Sequence, residues 1–202
     1  MSRLSVAAAC SIFVAAVPAV ASADPGDPAQ VQVTVDITEI EEPGVLALTV
    51  AGNSVALTEN GSDLLVRQFT GTLPTVTVTD TRTAAEIPAG AAWAVLGSSS
   101  DFTGTAGQAP ISAAHLGWKP RLLNGGNTGL VSEGEEVVTV LDQPTQPGNN
   151  VGLVDQELLV STYDSAEVTG GAYTVNADLT LRAPADVAAG SYRSTLTLSL
   201  FE

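Results

Sequence analysis

An all-β fold, an antiparallel β-sandwich of Ig-like or related form, is what this sequence predicts, and three observations carry the prediction. Apolar and polar residues alternate over one stretch after another, while helical spacing is almost absent. Thr, Val and Gly are abundant, which suits half-buried strands joined by tight turns. Turn signals recur roughly every ten residues, as in an antiparallel sandwich.

Taken in order, the chain begins with an export signal at residues 1–23. Arg3 supplies the positive start, residues 4–20 the apolar stretch, and Ala21-Ser22-Ala23 the small-residue cleavage site. Pro18 and the processing site argue against a retained membrane anchor, so no membrane insertion is expected after cleavage. Cys10 does not suit lipidation, because most of the apolar stretch follows it. Residues 24–29 read as a flexible Pro-rich leader and residues 30–202 as a single β-sandwich domain.

Within that domain Val31, Val33, Val35 and Ile37 alternate with polar residues, the pattern of a half-buried strand. Leu46, Leu48 and Val50 predict the next strand, with Gly52-Asn53 as a hairpin-like turn and residues 55–58 as its partner. Residues 64–69 follow the Asn60-Gly61 turn, and Leu73, Val76 and Val78 lead into a strand ending Asp80-Thr81-Arg82. A Pro/Gly loop separates this strand from one carrying Trp93. Residues 111–118 are short and apolar and close at Pro120, and residues 135–141 predict a further strand. Residues 143–152 are the longest breaker-rich stretch. Tyr173, Val175, Ala177, Leu179 and Leu181 share one strand face, and after a turn at residues 184–190 the alternation Tyr192, Leu196, Leu198, Leu200 predicts the partner of a final hairpin.

Composition narrows the function. The formal net charge is −15, and loss of Arg3 with the signal makes the mature chain one unit more negative. Nucleic acid binding and attachment to anionic lipid both need basic patches, so neither is expected. Cys10 is the only cysteine, which leaves an exported domain that relies on its core and has no catalytic thiol. The many carboxylates leave calcium open, but there is no Asp-x-Asp-x-Asp-Gly loop and no cofactor is assigned.

No catalytic constellation emerges, and the chain is not expected to be an enzyme. His115 is the only histidine, lies among apolar residues and has no Gly-x-Ser-x-Gly elbow to serve. Glu133, Glu135 and Glu136 surround Gly134 in what reads as a solvated turn, and the aromatic surface of a sugar groove is sparse. Asp80 and Arg82 project from one strand face, where they either pair or satisfy backbone groups across a loop. They are read as a structural anchor. Trp93 and Val95 share a face and serve either the core or a contact surface.

The run Val-Thr-Val-Thr-Asp80-Thr-Arg82, then Trp93-Ala-Val95 and Asp101-Phe102, resembles the first half of the WxL domain of Gram-positive surface proteins. Residues 111–120, with Trp118 before Pro120, resemble its middle segment, and Tyr192-Arg-Ser-Thr-Leu196-Thr197-Leu198-Ser-Leu200 its distal motif. Val95 stands where the family has Leu, and Leu198 where it has the distal Trp. The resemblance implies a secreted, non-enzymatic protein held non-covalently at the cell wall. Peptidoglycan is the implied ligand, and a WxL-interacting surface protein an implied companion. Trp93, Val95, Trp118, Tyr192, Leu198 and Leu200 become the candidate contact residues. An adhesion or assembly module that binds another surface protein is the alternative, and a small carbohydrate-active enzyme a more distant one. The charge sets a condition: an acidic chain and anionic wall polymers repel within a Debye length of about 8–10 Å, so contact needs short-range forces, a divalent bridge or a protein partner.

Overall fold

The computed structural model describes residues 34–37, 42–168 and 170–202. The expected signal at 1–23, the leader at 24–29 and the start of the domain at residue 30 lie outside the described residues. So do Val31 and Val33. Residues 34–37 form no strand, and Val35 and Ile37 are exposed. One compact unit covers residues 42–202.

That unit is an antiparallel all-β sandwich. Its strands are β1 (Leu46–Val50), β2 (Thr58–Glu59), β3 (Val66–Thr72), β4 (Val76–Asp80), β5 (Ala94–Ser99) and β6 (Thr103–Gly104). After these come β7 (Leu116–Leu122), β8 (Val131–Glu133), β9 (Glu157–Thr162), β10 (Gly171–Pro184), β11 (Tyr192–Arg193) and β12 (Leu196–Phe201).

The first sheet is built around β10. Its alternating apolar face (Val175, Ala177, Leu179, Leu181, Ala183) is buried throughout. One edge of β10 is filled by β4 and β3 laid end to end, with Val175 opposite Val76 and Asp178 opposite Thr72. The Leu73 N–H bonds the Ala177 carbonyl at 2.8 Å, so Pro74 and Thr75 together oppose Asn176. β3 and β4 are thus one long strand with a bulge where Pro74 lacks a donor. The other edge of β10 takes β7, and β1 and β2 flank β4 and β3 on the outside.

The second sheet has the order β12-β5-β9-β8, and β6 and β11 form a small separate ladder. Val95, Gly97 and Ser99 of β5 face inward, as do Leu159, Val160 and Thr162 of β9. Between the sheets Trp118 of β7 lies across Gly97, where a Cβ would sit 2.6 Å from the indole Cη2. Glycine is required there because an aromatic ring occupies the space.

Four expectations about local structure are corrected. Residues 46–50 and 55–58 do not form a hairpin, because β1 takes the free edge of β4 and Val55 is exposed. Pro120 does not close a strand: it lies inside β7, buried, opposite Ala177. The Trp118 N–H points away from β10 to the Val137 carbonyl, so the N–H that Pro120 lacks falls on the same outer side. Residues 135–141 contribute only the Trp118–Val137 bridge; Glu133 and Glu135 before it are exposed as expected, around a Gly134 that packs on the Leu158 backbone. The final hairpin does not form either. Both edges of β10 are already occupied, so the chain crosses at residues 185–191 and places β12 in the other sheet, beside β5.

Candidate functional site

Of the predicted site residues, the structure brings the two motif strands together. β12 pairs with β5 antiparallel, with Leu200 opposite Val95, Leu198 opposite Gly97 and Leu196 opposite Ser99. Three of the six candidate contact residues are nevertheless not at a surface. Trp93 and Val95 have no exposed area and Trp118 is 1% exposed, so this is a correction: they fill the core. Trp93 packs against Tyr173 of β10 with ring centroids 5.8 Å apart, and the Tyr173 hydroxyl donates to the Val168 carbonyl at 2.9 Å. Large aromatic rings at the meeting of two sheets contribute most as buried area. Tyr192, Leu198 and Leu200 are half-buried on the edge strands.

Asp80 and Arg82 pair with each other. Asp80 is fully buried at the end of β4, and Arg82 donates from Nε to Oδ1 at 2.9 Å and from Nη2 to Oδ2 at 2.8 Å. Its remaining Nη1 reaches Glu202 Oε1, just past β12, at 2.7 Å. A planar guanidinium thereby ties the first sheet to the edge of the second. The Arg82 hydrogen bonds hold the Asp80 carboxyl below its ordinary range despite burial, and the same contacts push Arg82 up. The following loop is stapled by Glu86, which accepts from the N–H groups of Thr83 at 2.8 Å and Gly44 at 3.0 Å. Those bonds lower its carboxyl in turn.

His115 is half-buried with Nδ1 2.7 Å from the Arg182 carbonyl, and among the described residues it hydrogen-bonds no serine, threonine or carboxylate. Asp142 pairs with Arg182 and accepts from the Thr139 hydroxyl at 2.6 Å. Burial pushes Asp142 up, but these hydrogen bonds outweigh it and leave it low. Among the described residues no three or more His, Cys, Asp or Glu side chains meet as a metal group, and no helix is long and apolar enough to cross a membrane.

The feature that sequence reading missed is a cleft of about 1220 Å³ where the two sheets part. Leu48 and Phe69 line it from the first sheet, Leu196 and Leu198 from the second, and Leu73 and Leu179 lie at its floor. The Arg82–Glu202 contact joins the sheets near the start of β1 and the end of β12, and the lining residues lie toward the opposite ends of those strands. The space is thus a wedge between sheets that are tied at the other end, with Asn53 and Ser194 among its lining residues. Among the described residues no acidic side chain lines it, although the chain has 22, whereas Arg67 and Arg193 do. Arg67 is paired with Glu59 at 2.8 Å; Arg193 is exposed and makes no ion pair among the described residues.

Among the described residues, both strands that flank the wedge have an edge with no strand partner. The Ser100 N–H bonds the Thr195 carbonyl, so residues 195, 197, 199 and 201 face β5 while Leu196, Leu198 and Leu200 point N–H and C=O outward. The bonds Thr81 N–H to Val45 and Ala51 N–H to Thr75 set the same parity on β1, leaving Leu46, Leu48 and Val50 outward. Alternation did reveal that these leucines share a face. It carries no information on which strands end a sheet, because that follows from pairings between runs distant in the chain, such as Leu198 with Gly97.

No protein-family model, no curated protein and no solved structure matches this chain.

Proposed function

We propose that this chain is an exported, non-catalytic module of the bacterial surface that acts by binding, and that it binds a protein neighbour through the wedge between β1 and β12. One observation carries the reading: a large, mostly apolar cleft has no carboxylate among its described lining residues and is bordered by two strand edges that pair with no other described strand. Such edges are templates for another chain. The glycan alternative fits this geometry less well, because both tryptophans are in the core and Tyr192 is the one aromatic ring besides Phe69 and Phe102 along the cleft.

Direct attachment to peptidoglycan is the second reading. It is favoured by the adjacency of β5 and β12, which sets the Trp93-Ala-Val95 and Tyr192–Leu200 motifs side by side in the order of the WxL resemblance. Co-sedimentation with purified Gram-positive cell walls, native and stripped of protein by protease and detergent, separates the two. Retention by native walls and loss on stripped walls is expected. Equal retention by stripped walls transfers the function to the polymer, and no retention on either sinks surface association.

A further inference from the structure

We propose that the wedge is a strand-acceptor site for an extended peptide with apolar residues at alternate positions and carboxylates at its ends, pairing along the free edge of β12. This deepens the protein-binding reading above and rests on it.

The backbone supplies the first part of the argument. Leu196 and Leu198 each direct an N–H and a C=O out of the sheet at the point where the wedge is open. A β-strand laid there continues the β12-β5-β9-β8 ladder and satisfies all four groups. An acyl chain or other apolar molecule without hydrogen-bonding groups fills space but leaves them to water.

Side-chain geometry supplies the second part. A strand beside β12 turns alternate residues into the space between the sheets, where Leu48, Phe69, Leu73 and Leu179 line the opposing wall. A guest with small β-branched residues at those positions completes the sandwich; one with charges there does not. The clamp of Arg82 on Glu202 ties the sheets at the far end of β12, and Leu196 and Leu198 line the cleft whereas Leu200 does not, so the guest's apolar residues meet the first two.

Charge decides the ends of the guest. The chain carries a net charge of −15, yet among the described residues the wedge has no acidic lining and has Arg193 at its rim without an ion-pair partner. A flanking carboxylate meets the one local cation that is not already neutralised.

The test uses the full chain and a fluorescent synthetic heptapeptide, Asp-Val-Thr-Val-Thr-Val-Asp, with three comparison peptides: lysines at the ends, proline at the centre, and a scramble. Anisotropy reads binding, and amide exchange by NMR reads the backbone of β12. Saturable binding is expected, with exchange at Leu196 and Leu198 slowed by about tenfold or more. The lysine-ended peptide should bind at least about fivefold more weakly at low salt, and the proline peptide not at all. Arg193→Glu, on an exposed side chain, should reverse the preference between acidic and basic ends without changing the unfolding midpoint. Absence of binding, binding that leaves the Leu196 and Leu198 amides unprotected, or displacement of the peptide by palmitate would overturn the assignment. So would a dimer of the chain that occludes these amides. The wall experiment is independent: retention by native walls together with unprotected amides removes the strand-acceptor site and leaves surface binding in place.

Discussion

Asp80 illustrates how much a single residue decides. It is fully buried, and its charge is tolerated because Arg82 supplies three hydrogen bonds, one from its backbone N–H and two from a guanidinium that Glu202 anchors. Removing one member of such a pair leaves an uncompensated buried charge, so Asp80→Asn should cost about 3–5 kcal/mol at pH 7. The sign of the pH effect follows from the direction of the shift. Asp80 lies below its unfolded value near pKa ~3.9, so its stabilisation is complete above that value and is lost as the pH falls through the lower, folded one. Urea denaturation of wild type and Asp80→Asn between pH 7 and pH 3 should show a constant gap down to about pH 5 and a narrowing gap below pH ~4. A gap that stays constant to pH 3 would show that Asp80 is not titrating in this way. The same-face projection of Asp80 and Arg82 was legible from their spacing of two. Glu202, 120 positions further on, was not, because nothing local predicts a contact at that separation.

Strands were legible as strands, and their partners were not. The buried face of β10 and the alternation of β12 follow directly from sequence period, yet the two belong to different sheets. Adjacent alternating runs with a Pro/Gly turn suggest a hairpin, and only the occupation of both edges of β10 forbids it. Pro120 misled for a related reason: a proline ends a strand only if its missing N–H is needed. In β7 the outward residues are Trp118, Pro120 and Leu122, and Lys119 and Arg121 donate toward β10. A proline scan should reproduce that parity. Pro120→Ala should change stability by less than about 1 kcal/mol, whereas Arg121→Pro should lose a ladder hydrogen bond and about 1–3 kcal/mol, both measured by chemical denaturation. Equal costs at the two positions would mean the strand is oriented differently. The candidate contact residues divided along the same line. Trp93, Val95 and Trp118 have the alternation of an inward face, which is compatible with core or contact. The structure chooses core because Trp93 packs on Tyr173 of β10 and Trp118 of β7 packs on Gly97 of β5, each across the sandwich.

At the scale of the whole molecule, β10 touches almost everything in the first sheet. It pairs with β3, β4 and β7, whose partner residues begin at Val66 and end at Leu122, while β10 itself starts at Gly171. Local segments therefore gain little until a strand near the far end of the chain is present, and contacts of such separation slow folding. Refolding from urea should be single-exponential on the scale of milliseconds to seconds or slower, and a chain ending at residue 170 should remain without protected amides in β3, β4 and β7. Protection of those strands in the shortened chain would refute the central role of β10. A ribosome delivering this polypeptide would thus release most of it before a stable sheet could close. If the chain is exported, as proposed above, that ordering is useful: a translocation channel passes unfolded polypeptide, and an architecture that withholds its keystone strand until Gly171 keeps the preceding 170 residues threadable.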